Sequence, residues 1–327
     1  MTHGTTQLSV IVLFYHGEPW IKNCIQSLEN QSLARNKYEI IMVDNGGSTP
    51  SVGKYSEQPN TKVLHFPENF GFAGGNNKAL DQAQGDFVLL MNQDVVVHFN
   101  CLKELMAAFE GYPKAGVVSA NMVMVSAINK IDQHNSTPKT VGLYRLTRWG
   151  YASYRTIETR KNIVPVEFVS GNALCFRKSI LNDVGGYLFD KHLGSYAEDL
   201  DLSIRLKHTK WGIYVRPNAV VYHYRDEAFS GSPVHRLRKL FQVSSNRLLV
   251  YYKNLSPSNF LRKLPALLLG IPFKVIRTDG ARKIQLFNFF VALGFLPIIF
   301  VYFGLRVIQL SKTKKRRSDI SQKFSEQ

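Results

Sequence analysis

The first hundred residues alternate between short, almost continuously apolar runs and segments whose apolar positions recur at helical spacing. Apolar runs bounded by polar turns are typical of strands that are covered on both faces of a sheet. Apolar side chains three and four positions apart predict helices that bury one face. The predicted strands are 8–15, 38–44, 61–66 and 86–92, and the predicted helices between them are 18–32 and 73–84.

This alternation predicts an α/β fold. Strands and helices joined by short links form a mostly parallel sheet with helices on both faces. Ligands on such sheets bind beyond the carboxyl ends of the strands. Asp44 ends the second predicted strand and Asp94 follows the fourth. Both carboxylates are therefore candidates for a ligand site at one edge of the sheet.

The stretch "FVLLMNQDVV" (87–96) places Asn92, Gln93 and Asp94 between two apolar runs. Burial of an unpaired carboxylate is costly, so either the strand ends here or a cation lies beside Asp94. Mg²⁺ and Mn²⁺ prefer carboxylate ligands and also take phosphate oxygens and waters. His223, near the end of a later predicted strand, could add a nitrogen ligand. The alternative is a turn carboxylate and an unrelated polar histidine.

The remaining elements are predicted from weaker patterns. The basic, aromatic region 121–165 is interpreted as strands and loops that border the site. The pair Glu198–Asp199 opens a predicted amphipathic helix. Further predictions are a strand, a turn and a short helix over 166–187, the helix itself over 198–212, a pair of strands over 213–225, and basic helices after 232.

The glycine-rich segment "GFAGGNN" (71–77) invites comparison with a dinucleotide fingerprint. It lacks the spacing GxGxxG and follows the third strand rather than the first, which argues against a dehydrogenase. Small residues at a helix start suit close approach of a ligand. We therefore expect the backbone amides there to be available to an anion.

The net charge of +17 is concentrated at one end of the chain. Residues 231–327 carry 18 Lys and Arg against 3 acidic residues. The same region contains twenty uncharged residues, 286–305, enough to cross a hydrocarbon core of about 30 Å. The polybasic run "SKTKKRRS" (311–318) follows, and such runs face anionic cytoplasmic lipid. An anionic membrane surface is therefore favoured over nucleic acid as the partner.

How segment 286–305 meets a membrane stays open. Basic residues lie on both sides of it, so the distribution of charge does not choose an orientation. A spanning helix, a re-entrant helix bent at Pro297 and an interfacial helix are all consistent with the pattern, and a buried core helix is the alternative. Three widely spaced cysteines and the lack of a charged-then-apolar leader favour a cytosol-facing location.

Seven segments carry a resemblance to a known family. In chain order they are "SVIVLFY", "IIMVDNGGST", "ENFGFAGGNNKAL", "GDFVLLMNQDV", "VSGNALCFRKS…VGGY", "YAEDLDLSIRLKHTKWG" and "VVYHY", spread over about residues 8–225. The chain resembles the family 2 glycosyltransferases of the GT-A fold, especially the bacterial rhamnosyltransferase-like branch. The resemblance implies a GT-A catalytic domain over 1–231. A basic, helical, membrane-associating region is then predicted over 232–327.

The resemblance also implies roles in donor binding for several residues. Tyr15 and Asp44 match positions that hold the nucleotide base of the sugar donor. Asn69 and Asn77 match positions near the ribose and the pyrophosphate. Asn92 stands where the family has the first acid of its Asp-X-Asp motif, which leaves more of the metal binding to Asp94.

Further roles follow for the metal and the chemistry. Asp94 matches the last acid of that motif, and His223 matches a histidine that completes the Mg²⁺ or Mn²⁺ site in some members. Asp199 matches the general base. The acceptor site is implied at Glu198, Gly171 and Asn172.

The resulting expectation is an inverting, metal-dependent glycosyltransferase at the cytoplasmic face of a membrane. Its favoured donor is dTDP-L-rhamnose, and its expected acceptor is a polyprenyl-diphosphate-linked saccharide. Two alternatives remain open. One is a transferase that uses another donor such as a UDP-hexose, and the other is an inactive, membrane-tethered scaffold that binds nucleotide sugars.

Overall fold

The computed structural model describes residues 6–125, 131, 134, 138–224, 233–276, 293–294 and 296–312. The chain divides into two compact units. The first comprises Met1–Arg145 and Tyr154–Phe229, and the second comprises Leu146–Ser153 and Ser230–Gln327.

A nine-stranded sheet forms the centre of the first unit. Its order is β3-β2-β1-β4-β10-β6-β11-β5, with β9 paired to β11. Six strands run in one direction, and β5, β9 and β10 oppose them. The strands of this sheet are β1 (Leu8–Phe14), β2 (Tyr38–Asn45), β3 (Thr61–Phe66), β4 (Phe87–Asn92), β5 (Val95–Val97), β6 (Ala115–Val125), β9 (Val164–Pro165), β10 (Ala173–Arg177) and β11 (Gly212–Tyr224). A separate two-stranded sheet pairs β7 (Thr140–Leu146) with β8 (Ala152–Glu158).

Helices cover both faces of this sheet, as predicted. Along β1, Val10 and Val12 face one helical layer and Ile11 faces the other, because successive side chains of a strand point to opposite faces. One layer contains α1 (Ile21–Glu29) and α3 (Cys101–Gly111), and the other contains α2 (Gly71–Leu80), α4 (Ile180–Asp183) and α5 (Glu198–Leu206). The predicted α/β class is therefore confirmed.

Two predicted elements differ from the structure. The helix predicted to end at 212 ends at Leu206, since the Thr209 hydroxyl donates to the Leu206 carbonyl and accepts from the Trp211 amide. The strand pair predicted over 213–225 is wrong, because β11 is one continuous strand of 13 residues. Its pairing with β6 shifts register between Arg216 and Val220, and Pro217, which has no amide hydrogen to donate to a ladder, lies within this irregularity.

The stretch that raised the question of a buried carboxylate is the end of a strand. β4 stops at Asn92, and Gln93 and Asp94 form the turn into β5. β5 then pairs with β11 at the far end of the sheet. Asp94 therefore lies where the chain leaves one central strand for an edge position.

In its described residues the second unit contains three long helices and a buried arginine. The helices are α6 (Pro233–Asn254), α7 (Pro257–Ile276) and α8 (Leu296–Lys312), and α6 packs against the other two. Arg247 of α6 is buried; it donates to the carbonyls of Trp149 and Leu267, and its guanidinium lies over the Tyr151 ring at 3.6 Å.

Of the predicted hydrophobic segment 286–305, residues 286–292 and 295 lie outside the described part of the chain. Residues 296–305 form the first part of α8. Among the helices of the described residues, none has both the length and the apolar character needed to cross a bilayer.

Candidate functional site

The carboxyl ends of β1, β2 and β4 lie side by side. Phe14 is level with Asp44, and Leu13 is level with Asn92. Tyr15, which follows β1, is exposed at the same edge. The predicted residues of the nucleotide site at Tyr15, Asp44 and Asn92 are therefore neighbours at one edge of the sheet.

Asp44 organises the loops at this edge. It is only 2% exposed, and its Oδ1 accepts the backbone amides of Ser48 at 3.0 Å and Thr49 at 3.1 Å. The Ser48 hydroxyl in turn accepts the amide of His16 at 2.9 Å. Asp44 thus fixes the segment that follows Tyr15, and direct contact of its carboxylate with a nucleotide base stays a prediction.

Gln93 is a site residue that the sequence patterns did not single out. Its Oε1 accepts the Tyr15 amide at 2.8 Å, and its Nε2 donates to the Tyr15 carbonyl at 3.0 Å. This side chain therefore joins the end of β1 to the end of β4 as a neighbouring strand would. The signal available in the sequence was its position between Asn92 and Asp94 in the polar run.

Asn69 and Asn77 hold backbone in place. Asn69 Oδ1 accepts from Asn45 Nδ2 at 3.0 Å and from the Gly71 amide at 2.8 Å. Asn77 bonds both the amide and the carbonyl of Phe189, at 3.1 and 2.6 Å. These hydrogen bonds are all within the protein, so the contacts of Asn69 and Asn77 with the ribose and the pyrophosphate stay predictions.

The expectation of free amides at the start of α2 is wrong. The Phe72 amide donates to the Ser195 hydroxyl at 3.2 Å, and the Ala73 amide donates to the Gly194 carbonyl at 2.8 Å. Gly71 has φ +68°, and a Cβ there would lie 2.9 Å from the Gly194 oxygen. The loop before α5 thus occupies the place that an anion would take.

A line of hydrogen bonds joins the predicted donor and acceptor residues. The Asn92 amide donates to the Asn172 carbonyl at 3.0 Å, and Asn92 Nδ2 donates to Asn172 Oδ1 at 3.1 Å. The amide of Gly171, the residue before Asn172, donates to Asp199 Oδ2 at 3.3 Å. The end of β4, the segment before β10 and the start of α5 therefore converge on one place.

Two residues with strained backbone come just before Asp199 and help to position it beside Gly171. Tyr196 and Ala197 have φ values of 71° and 69°, in the left-handed region that side chains other than glycine rarely adopt. Each such residue costs on the order of 1–3 kcal/mol, and strain of this kind clusters at functional sites. The turn leads directly into α5, where Asp199 Oδ1 accepts the Leu200 amide at 2.8 Å.

The two carboxyls at the start of α5 are shifted toward protonation. Burial raises the pKa of Asp199 to about 6, although hydrogen bonds from Gly171 and Leu200 oppose the shift. Burial raises the pKa of Glu198 well above its usual value, and the adjacent Asp199 carboxylate raises it further. Burial thus shifts both carboxyls in the same direction, and the charge on Asp199 additionally disfavours ionisation of Glu198.

Asp201 has a separate, structural role. Its Oδ2 accepts from Arg205 Nε at 2.9 Å, and both side chains are buried. The same guanidinium donates to the carbonyls of Val184, Tyr187 and Leu188. Asp201 therefore stabilises the loop that packs on α5.

Asp94 and His223 form the candidate metal centre. Asp94 Oδ1 lies 3.3 Å from His223 Nε2, and β5 and β11 place Val95 opposite His223. Within the described residues, Asp94 Oδ1 and His223 Nδ1 are buried without a hydrogen-bond partner. Two ligands about 2.1 Å from one Mg²⁺ and at right angles to each other are about 3 Å apart. The pair therefore fits a divalent cation.

This centre has two protein ligands. No group of three or more His, Cys, Asp or Glu side chains is arranged for a metal in the part of the chain that the structure describes. Mg²⁺ usually binds through one or two carboxylates together with phosphate oxygens and waters. Two protein ligands are therefore consistent with a metal whose remaining ligands come from a bound diphosphate.

Comparison with known proteins places this geometry in a family context. An N-acetylglucosaminyl-diphospho-decaprenol L-rhamnosyltransferase of Mycobacterium tuberculosis is 25% identical over 256 residues, covering 71% of this chain and 81% of the relative. The O-antigen chain rhamnosyltransferase WbaN of Salmonella anatum is 23% identical over 191 residues, covering 57% of this chain and 56% of the relative.

A solved structure shares the fold. The crystal structure of S. aureus TarS 1-349 in complex with UDP-GlcNAc superposes with a TM-score of 0.55 and 19% identity, covering 95% of this chain and 93% of that chain. The fold is therefore of the GT-A type. The family model described as "Glycosyl transferase family 2" matches residues 9–185. Because this match covers more than half of the chain, the protein belongs to glycosyl transferase family 2.

Proposed function

We propose that this chain is an inverting, metal-dependent glycosyltransferase. It moves a sugar from a nucleotide-diphospho-sugar to a hydroxyl of a lipid-linked saccharide in the synthesis of a cell-surface polysaccharide. The observation that carries this proposal is Asp199, a carboxylate of raised pKa held by strained backbone and joined through Gly171 and Asn172 to the end of β4.

Asp199 serves as the general base. A carboxylate within hydrogen-bond reach of the acceptor hydroxyl can accept its proton as the oxygen attacks the anomeric carbon. The new bond from carbon to oxygen forms while the bond from the anomeric carbon to the diphosphate oxygen breaks, and the nucleoside diphosphate departs. Because attack and departure occur on opposite faces of the sugar, a single displacement inverts the anomeric configuration.

Asp94 and His223 would hold the divalent cation, Mg²⁺ or Mn²⁺. Such a cation stabilises the negative charge that develops on the departing diphosphate. The chain's own part is to orient these two ligands, because pairing of β5 with β11 fixes Asp94 against His223. Asn92, in the place of a second acid, binds Asn172 and so links the metal side of the site to the acceptor side.

The proposed substrates rest on the relatives. Both rhamnosyltransferase relatives favour an L-rhamnosyl donor, for which dTDP-L-rhamnose is the expected form, and the mycobacterial relative acts on a decaprenol-linked saccharide by name. A polyprenyl-diphosphate-linked acceptor would place the enzyme at the cytoplasmic face of a membrane. The UDP-GlcNAc complex of TarS favours the second candidate donor, a UDP-linked sugar.

A thermal-shift screen of nucleotide sugars with and without Mn²⁺ tests this proposal. Ligands that bind only the native state raise the unfolding temperature by mass action. We expect the largest shift with dTDP-L-rhamnose and Mn²⁺ together, followed by transfer of the sugar in an assay with a polyprenyl-linked acceptor. Binding of a nucleotide sugar without any transfer or hydrolysis would instead identify an inactive scaffold.

Asp94→Ala should remove the dependence of donor binding on metal. The substitution deletes one of two protein ligands and leaves the other, His223, without its partner. Isothermal titration with donor, with and without Mn²⁺, measures the effect. Asp86→Asn, which also removes one negative charge but at an exposed position, serves as the control. Equal metal dependence in Asp94→Ala and the wild type would remove Asp94 from the metal site.

The acid limb of the pH profile should report Asp199. Because the base acts only when ionised, kcat/KM should fall as pH drops below about 6. In Glu198→Gln the limb should stay in place, because burial rather than Glu198 raises the pKa of Asp199. A limb that moves by a full pH unit in Glu198→Gln would contradict burial as the main cause of the shift.

The same ionisation has the opposite effect on stability. The folded-state pKa of Asp199 lies above its usual value of 3.8, so the folded state binds more protons than the unfolded state between these values. The stabilising contribution of the protonated form is complete below the usual value and is lost as pH rises through about 6. The ionised form of Asp199, which acts as the base, therefore gives a lower free energy of unfolding than the protonated form.

A further inference from the structure

One face of α8 packs inside the second unit. Ile299 and Phe303 are buried, and the Phe303 ring lies 5.8 Å from the ring of Tyr252 and 6.0 Å from that of Phe260. Arg306 donates to Asn246 of α6. This face therefore holds α8 sideways against α6 and α7.

The opposite face of α8 is apolar and exposed. Ile298, Val301, Leu305 and Ile308 are 52, 63, 60 and 53% exposed. Their spacing of three, four and three residues places them along one side of the helix, away from Ile299 and Phe303. We call these four residues the α8 stripe. A contiguous exposed apolar surface of this kind marks an interaction site.

Charge in the neighbouring sequence indicates the partner. Lys312 ends α8, and four consecutive basic residues follow at 314–317. A basic run that follows an apolar helix in the sequence is complementary to a bilayer, because cations meet anionic headgroups while apolar side chains enter the boundary with the acyl chains. An apolar protein surface would match the stripe but would gain nothing from the adjoining cations.

We propose that the α8 stripe binds the surface of an anionic phospholipid bilayer, with α8 parallel to the membrane plane. The packing of Ile299 and Phe303 on the rest of the unit leaves one side of the helix for lipid. The inference deepens the proposed function, because a lipid-linked acceptor would be presented at the same membrane surface. The biological purpose of the binding rests on that function, whereas the binding itself does not.

Flotation of the full chain with lipid vesicles tests this binding. Wild-type protein should float with vesicles of phosphatidylcholine and phosphatidylglycerol, and less so with phosphatidylcholine alone or at high salt, because salt screens the basic run. Val301→Glu/Leu305→Glu should weaken partitioning by about tenfold or more, and Val301→Ser/Leu305→Ser should do so without adding charge. The matched control Gln58→Glu/Gln82→Glu places two new carboxylates on exposed positions of the first unit and should float like the wild type.

Several outcomes would overturn the proposal. Equal flotation of both stripe variants and the wild type would place lipid binding elsewhere. Absence of vesicle binding by the wild type, together with a dimer that the stripe variants convert to a monomer in sedimentation, would identify a contact between copies. Absence of vesicle binding in a wild-type monomer would show that the chain itself covers the stripe.

The outcome is separable from that of the proposed function. Donor hydrolysis in solution, measured as release of nucleoside diphosphate, should be the same in the stripe variants as in the wild type. Circular dichroism and unfolding temperature check that the variants fold. Flotation that depends on the α8 stripe, without any sugar transfer, would support the membrane-binding proposal and reject the proposed reaction.

Discussion

Asp199→Asn is expected to reduce sugar transfer by about 10²–10⁴-fold, the usual contribution of a positioned general base. The amide keeps the size of the carboxylate, and its oxygen can still accept the Gly171 or Leu200 amide. It cannot accept a proton from the acceptor. Transfer from the labelled donor measures the loss, and donor affinity in the presence of Mn²⁺ should stay within about twofold of the wild type.

The matched control is Asp81→Asn, which makes the same chemical change at an exposed position after α2. It should leave transfer unchanged. If Asp199→Asn retained most of the wild-type rate, the base would lie elsewhere. If it lost donor affinity as well as rate, Asp199 would act in donor binding rather than in proton transfer.

Arg205→Met is expected to lower the free energy of unfolding by about 3–5 kcal/mol, the cost of leaving a buried charge without its partner. The substitution strands Asp201, and it also removes the donors to the carbonyls of Val184, Tyr187 and Leu188. Each carbonyl that loses its donor while buried adds to the penalty. Urea unfolding followed by circular dichroism measures the change.

Lys207→Met provides the comparison for this stability experiment. Lys207 also pairs with a carboxylate, Glu167, at 3.3 Å, but both side chains are exposed. Exposed pairs contribute about 0–1 kcal/mol. A double variant, Asp201→Leu/Arg205→Met, should recover part of the lost stability because no unpaired charge remains. Similar losses for Arg205→Met and Lys207→Met would contradict the importance of the buried pair.

The elements up to β4 could be predicted because their signals are local. β1, β2 and β4 are apolar runs buried on both faces, and β3 is a partly buried edge strand with its own turn residues. The continuity of β11 could not be predicted in the same way. Pro217 cannot donate a hydrogen bond to a ladder, and only pairing with β6 and β5 shows that the strand continues through an irregularity.

The candidate site was predictable in its residue types and only partly in its contacts. Polar residues at strand ends and the pair of acids at a helix start are visible in the sequence, so Asp94 and Asp199 could be selected. The bonds of Gln93 with Tyr15 and of the loop at Gly194 with α2 join residues 78 or more positions apart. Such contacts depend on the order of strands in the sheet, which local patterns do not encode.

The position of Asp94 between β4 and β5 also has a consequence for folding. Its partner His223 is 129 residues away in the chain, and β5 can reach its place only beside β11. Loop-closure entropy delays contacts between such distant segments, so the pair belongs to the last part of the sheet to assemble. A metal ion held by both residues should therefore bind only chains whose sheet is complete, and in refolding experiments the recovery of Mn²⁺ binding should trail the recovery of helical circular dichroism.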